Sequence, residues 1–101
     1  MLKINIKKYS IMKKIIIIGA GAMGSAFAVP CLENQNEVTL VGTHLEDDLI
    51  NNIKSNNNLH PALNIELPSK LKVEKFEKLK SILEGEVDII VAGVSSIGIE
   101  W

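Results

Sequence analysis

The chain contains no arginine: all eleven cationic side chains among its 101 residues are lysines. It therefore lacks the planar fork that grips phosphate or carboxylate through two parallel hydrogen bonds. A single cysteine, Cys31, excludes an internal disulfide and fits a reducing compartment. Two histidines and that one thiol, scattered along the chain, provide no metal-ligand spacing. No apolar run approaches the ~20 residues needed to span a bilayer, and Met1–Ile11 lacks the apolar core of a signal peptide. A net charge of −1 supplies no field to recruit nucleic acid or an anionic membrane. These absences lead us to expect a cytoplasmic protein with no nucleic-acid and no membrane partner. The length suits one small domain.

What is present is concentrated in Lys14–Gly24. Four consecutive isoleucines, Ile15–Ile18, suit a strand buried on both faces of a parallel sheet. The run breaks directly into Gly19-Ala20-Gly21-Ala22-Met23-Gly24, a Gly-x-Gly-x-x-Gly pattern. Gly19 permits the tight turn, Gly21 lacks a side chain where backbone must approach a pyrophosphate, and Gly24 allows close packing of the next helix. The unpaired N–H groups and positive dipole end of that helix then point at the phosphates. Alone, such a pattern is weak. Here it follows a strand, opens a helix and precedes a second strand, which is the confirming context.

The periodicity predicts a first strand over 13–18 and a first helix over 22–33, with Met23, Phe27, Cys31 and Ala26 facing the sheet. Pro30 interrupts the last helical turn, and Asn34-Gln35-Asn36 supplies the stop. A second strand is expected over 37–41 and a second helix over 44–54, with Leu45, Leu49, Ile50 and Ile53 on its buried face. Residues 56–68 read as a loop, followed by a strand at 71–73, a helix at 76–83 and a fourth strand at 87–94. This alternation indicates an α/β fold: a Rossmann-type parallel sheet with helices on both faces, in strand order 3-2-1-4. A complete dinucleotide fold needs about two more strands, so the expectation is a fold truncated after about four. Residues 1–11 are expected to be a disordered extension and 12–101 a partial dinucleotide-binding domain.

Several segments together resemble the amino-terminal part of NAD(P)-dependent glycerol-3-phosphate dehydrogenase. They are Ile17–Ala26, Asn36–Thr43, His60-Pro61-x-Leu63 with Leu67-Pro68, and Val91–Ser96. The glycine string alone is shared with ketopantoate reductases and 6-phosphogluconate-dehydrogenase-like enzymes, which stay open as alternatives. The resemblance implies NAD or NADP as a small-molecule dinucleotide partner and hydride transfer to or from C2 of a glycerol phosphate. It also implies a homodimeric parent. By position it assigns cofactor binding to Gly19, Ala20, Gly21, Ala22, Met23 and Gly24, to Thr43 and His44 past the second strand, and to Val94, Ser95 and Ser96 past the fourth. Catalytic residues of that family lie beyond the fourth strand, so none is assigned here.

The acidic residue that bonds a ribose 2′-hydroxyl is expected about 20 positions past the glycines. Glu37 is too early and Glu46 a little late, so this discriminator reads as missing, and with no arginine either cofactor is allowed. His60 reads as an ordinary loop residue, Cys31 as a buried apolar group, and Lys70, Lys72, Lys75, Lys78 and Lys80 as a solvated face. Other readings are a non-catalytic NAD(H)-binding regulatory module and a non-binding truncated product.

Overall fold

A computed structural model describes residues 13–93. Its elements in chain order are β1 (Lys14–Ile18), α1 (Ala22–Glu33), β2 (Glu37–Val41), α2 (Asp47–Ser55), β3 (Leu59–His60), β4 (Ile65–Glu66), β5 (Lys72–Glu74) and β6 (Ile89–Ala92). A 3₁₀ turn at Phe76–Lys78 leads into a short helix, α3 (Leu79–Leu83), before β6. The four longer strands form one sheet in the order β5-β2-β1-β6. Its pairings are all parallel. That order is the 3-2-1-4 arrangement expected from the sequence, and it puts the isoleucine strand inside the sheet.

Alternation along β1 divides its isoleucines between the two sheet faces. Ile15 and Ile17 join Val38, Leu40 and Val73 of the neighbouring strands in the main core. Ala28 from α1, Ile50 and Ile53 from α2, and Leu67 and Leu71 from the following segment complete it. Ile16 lies on the opposite face, in a cleft with Thr39 and Ile82. The helices that contribute to this core, α1 and α2, are the ones that connect successive parallel strands.

The bounds of α1 and β2 match the sequence reading, but the face of α1 does not. Gly24, Ser25 and Ala28 are its buried residues. Met23 is 76% exposed and Phe27 46%, Ala26 is exposed, and Cys31 is half-buried. Small residues win this face because the helix backbone lies directly on the glycine turn, where larger side chains have no room. Burial still pushes the Cys31 thiol pKa up from its ordinary value, which leaves it a poor nucleophile. The helix runs through Pro30 to Glu33, and Gln35, rather than an asparagine, takes the left-handed conformation after it, with φ of 64°.

α2 begins three residues later than expected. Thr43–Glu46 closes as a turn instead, with Glu46 N–H donating to the Thr43 carbonyl at 2.9 Å. Leu45 is consequently 83% exposed, while Ile50 and Ile53 are fully buried. The segment read as a loop holds an antiparallel pair, Leu59↔Glu66 and His60↔Ile65. Asn57, Asn58 and Asn64 make its reversals with positive φ, a conformation asparagine tolerates better than most residues. The last strand, Ile89–Ala92, begins two residues later than read, where Asp88 turns its carboxylate to accept from Lys14 N–H at 2.8 Å, and the reading's last residue, Val94, lies outside the described residues.

Candidate functional site

The glycine turn sits at the carboxyl end of β1, between β2 and β6. Gly19 N–H donates to the Val41 carbonyl at 2.7 Å, and Gly93 N–H donates to the Ile18 carbonyl at 2.7 Å. Gly19 has φ of 111°, open only to glycine without strain. Gly21 is the N-cap of α1 with extended backbone, and no side chain caps this helix. The first intrahelical bond is Ser25 N–H to the Gly21 carbonyl, 3.0 Å. No acidic residue of the helix itself occupies its first turn, so its amino end presents backbone donors that no side chain of its own engages.

Two of the glycines serve different purposes. A Cβ built on Gly24 would lie 2.2 Å from the Gly19 carbonyl oxygen, so this residue is glycine because backbone packs on backbone. A Cβ on Gly21 would meet nothing nearer than Glu46 Oε2 at 4.0 Å. Among the described residues, neither conformation nor packing demands glycine at position 21, and none of them fills the space beside it.

Around this turn the structure gathers side chains that sequence reasoning set aside. Glu46 Oε1 accepts from Ala20 N–H at 2.9 Å and from Thr43 N–H at 2.8 Å. A carboxylate therefore does stand at the carboxyl ends of β1 and β2, supplied by the residue that spacing alone set aside as a little late. Counting positions past the glycines failed because Glu46 reaches back over the Thr43–Glu46 turn. His60, 1% exposed, brings its Nε2 to 2.8 Å from the Ala20 carbonyl oxygen. The Ser25 hydroxyl donates to that same oxygen at 3.0 Å. A lone histidine in an apparent loop carried no sequence signal of this contact.

The remaining predicted positions are placed as follows. Ala22 and Met23 are exposed on the first turn of α1, and Gly21 is half-exposed. Ala20 is wholly buried, and its N–H and carbonyl are both taken by the protein, so it frames the turn from behind. Thr43 is half-buried, its hydroxyl oxygen accepting from Leu45 N–H at 3.4 Å. His44 is exposed, its ring edge-on to Phe76 at 5.8 Å. Val94, Ser95 and Ser96 lie outside the described residues. Among the described residues no cluster of His, Cys, Asp or Glu could hold a metal ion, and no helix is long and apolar enough to cross a membrane.

Parallel strands in this order, with a glycine turn leading from an inner strand into an uncapped helix, define a Rossmann-type α/β domain. The family described as NAD-dependent glycerol-3-phosphate dehydrogenase N-terminus matches residues 14–100, and the chain belongs to that family. It is 38% identical over 87 residues to the NADP(+)-dependent glycerol-3-phosphate dehydrogenase of Archaeoglobus fulgidus, covering 84% of this chain and 24% of that protein. It is also 38% identical over 82 residues to glycerol-3-phosphate dehydrogenase [NAD(P)+] of Bacillus pumilus, covering 80% of this chain and 23% of the relative. The Shouchella clausii protein of the same name is 42% identical over 62 residues, covering 60% and 18%. The chain thus spans about a quarter or less of the length of these curated relatives.

Proposed function

We propose that residues 12–101 form part of the NAD(P)-binding domain of a dehydrogenase that interconverts glycerol 3-phosphate and dihydroxyacetone phosphate. Residues 1–11 are a separate arm in this reading, and the whole protein is a cytoplasmic homodimer. The observation that carries the cofactor assignment is the open space beside Gly21, in front of the uncapped amino end of α1. Backbone N–H groups of Gly21, Ala22 and Met23 receive the pyrophosphate there. Gly19 and Gly24 shape the turn, and Thr43 and His44 lie toward the adenosine ribose. Bound dinucleotide supplies the hydride, while this chain supplies grip and orientation.

The test is a titration with NADH and with NADPH, following nicotinamide fluorescence and melting temperature together. Saturable binding that raises the melting temperature supports the reading. A folded chain that binds neither refutes it.

Glu46 offers a finer measurement. Its carboxylate stands beside the expected ribose end, and the chain has no arginine to offset a 2′-phosphate. Repulsion at exposed distances is about 1 kcal/mol, or roughly fivefold in affinity. Glu46→Gln keeps an oxygen for the Ala20 and Thr43 N–H groups but removes the charge. The ratio of NADPH to NADH affinity should therefore rise about fivefold, read from paired dissociation constants. An unchanged ratio would place the ribose away from Glu46.

A further inference from the structure

His60 is fully buried, yet the proposed chemistry does not use it. Both ring nitrogens are committed. Nδ1 lies 3.1 Å from Ala62 N and 3.3 Å from Leu63 N, two N–H donors, so it accepts and carries no proton. Nε2 lies 2.8 Å from the Ala20 carbonyl oxygen, so it is the protonated nitrogen and donates. The ring is thus held in one neutral tautomer, with its hairpin loop on one side and the glycine turn on the other.

The anchored atom is the informative part. The Ala20 carbonyl and the Gly21 N–H belong to one planar trans peptide and point in opposite directions. His60 from one side of the fold and Ser25 from α1 hold that carbonyl inward. The same peptide then turns the Gly21 N–H outward, toward the open space beside Gly21. Among the described residues no protein group accepts from this N–H. Glu46 fixes the preceding peptide through Ala20 N–H, so rotation of the Ala20–Gly21 plane is the freedom left for His60 and Ser25 to remove.

We infer that His60 is a positioning residue for the dinucleotide, orienting the Gly21 N–H through the Ala20 carbonyl. This inference rests on the proposed cofactor reading. It assigns to a loop 40 residues along the chain a part in setting cofactor affinity.

Two substitutions separate this role from simple support of the loop. His60→Asn puts a carbonyl oxygen near the place of Nδ1, keeping the acceptor for Ala62 and Leu63 but losing the reach to Ala20. His60→Gln puts an amide N–H near the place of Nε2, keeping the donor and losing the loop acceptor. NADH dissociation constants and melting temperatures are measured for both variants in the full chain, well below each midpoint.

Positioning predicts that His60→Asn weakens NADH binding about tenfold even at temperatures well below its own melting midpoint, where the variant is fully folded. It predicts that His60→Gln stays within about threefold of wild-type affinity while melting earlier. Wild-type affinity in His60→Asn overturns the inference and leaves the cofactor reading standing. Affinities that fall only as melting temperature falls, down to loss of the fold, make the ring a prop of its own loop and overturn it equally. No NADH binding by the folded wild-type chain removes the cofactor reading and this inference together.

Discussion

Gly24→Ala is expected to lower the melting temperature by roughly 12–24 °C. The added methyl would sit 2.2 Å from the Gly19 carbonyl oxygen, with the carbonyl carbon at 3.3 Å and an Ile17 methyl at 3.4 Å. The first two are backbone, and they cannot yield in the way a side-chain tip does. Gly19 is fixed by its bond to Val41 and by its positive φ. On the other side Gly93 crowds the helix, since a Cβ built on it would lie 2.8 Å from Gly24 Cα. The helix would have to lift off β1 and β6 together. Overpacking against a fixed partner costs about 3 kcal/mol, and each kcal/mol is worth about 4–8 °C in a domain of this size. A thermal melt followed by far-ultraviolet circular dichroism is the check, and a shift below about 5 °C would mean that the helix is free to move.

Gly21→Val is expected to do the reverse, abolishing dinucleotide binding while sparing the fold. Position 21 has φ of −65° and ψ of −177°, which any residue adopts. The nearest atom to a new Cβ is Glu46 Oε2 at 4.0 Å. Valine is a poorer N-cap than glycine, which limits the loss of stability to about 1 kcal/mol. The branched side chain would instead fill the space that the pyrophosphate needs. Affinity for NADH should fall about 100-fold or more, equivalent to about 2.7 kcal/mol. Near-wild-type affinity in a folded Gly21→Val variant would sink the phosphate-cradle assignment. Set side by side, the two variants separate a glycine kept for packing from one kept for a ligand.

The sequence was most legible where local chemistry and global position agree. Ile15–Ile18 is β-branched, apolar and short, which favours a buried strand, and the glycines directly after it mark where the strand ends. The bounds of α1 and β2 follow from the same clarity. The buried face of α1 was not legible because apolar residues occur all around the helix, and the tie is broken by how closely Gly24 approaches Gly19. Leu59–His60 and Ile65–Glu66 are too short to show a period of two. Glu46 and His60 act through the reach of a side chain across the fold, to Ala20 in both cases, and one-dimensional spacing holds no record of that. Accordingly the glycine turn was readable from the sequence, while the groups that brace it from behind became visible only in three dimensions.

The closure of the turn by Gly93 also bears on how the chain is made. Residue 19 is synthesised long before residue 93, whose N–H caps the Ile18 carbonyl and whose backbone abuts α1. At about 5–20 residues per second the interval is roughly 4–15 s. Throughout it Ile15–Ile18 lacks its β6 partner and remains an uncharged β-branched segment of the kind that pairs with copies of itself. Lys13 and Lys14 stand immediately before that run. Their like charges oppose alignment of two nascent strands, as flanking gatekeepers do. The charge of these two lysines is in place before the sheet that buries the isoleucines.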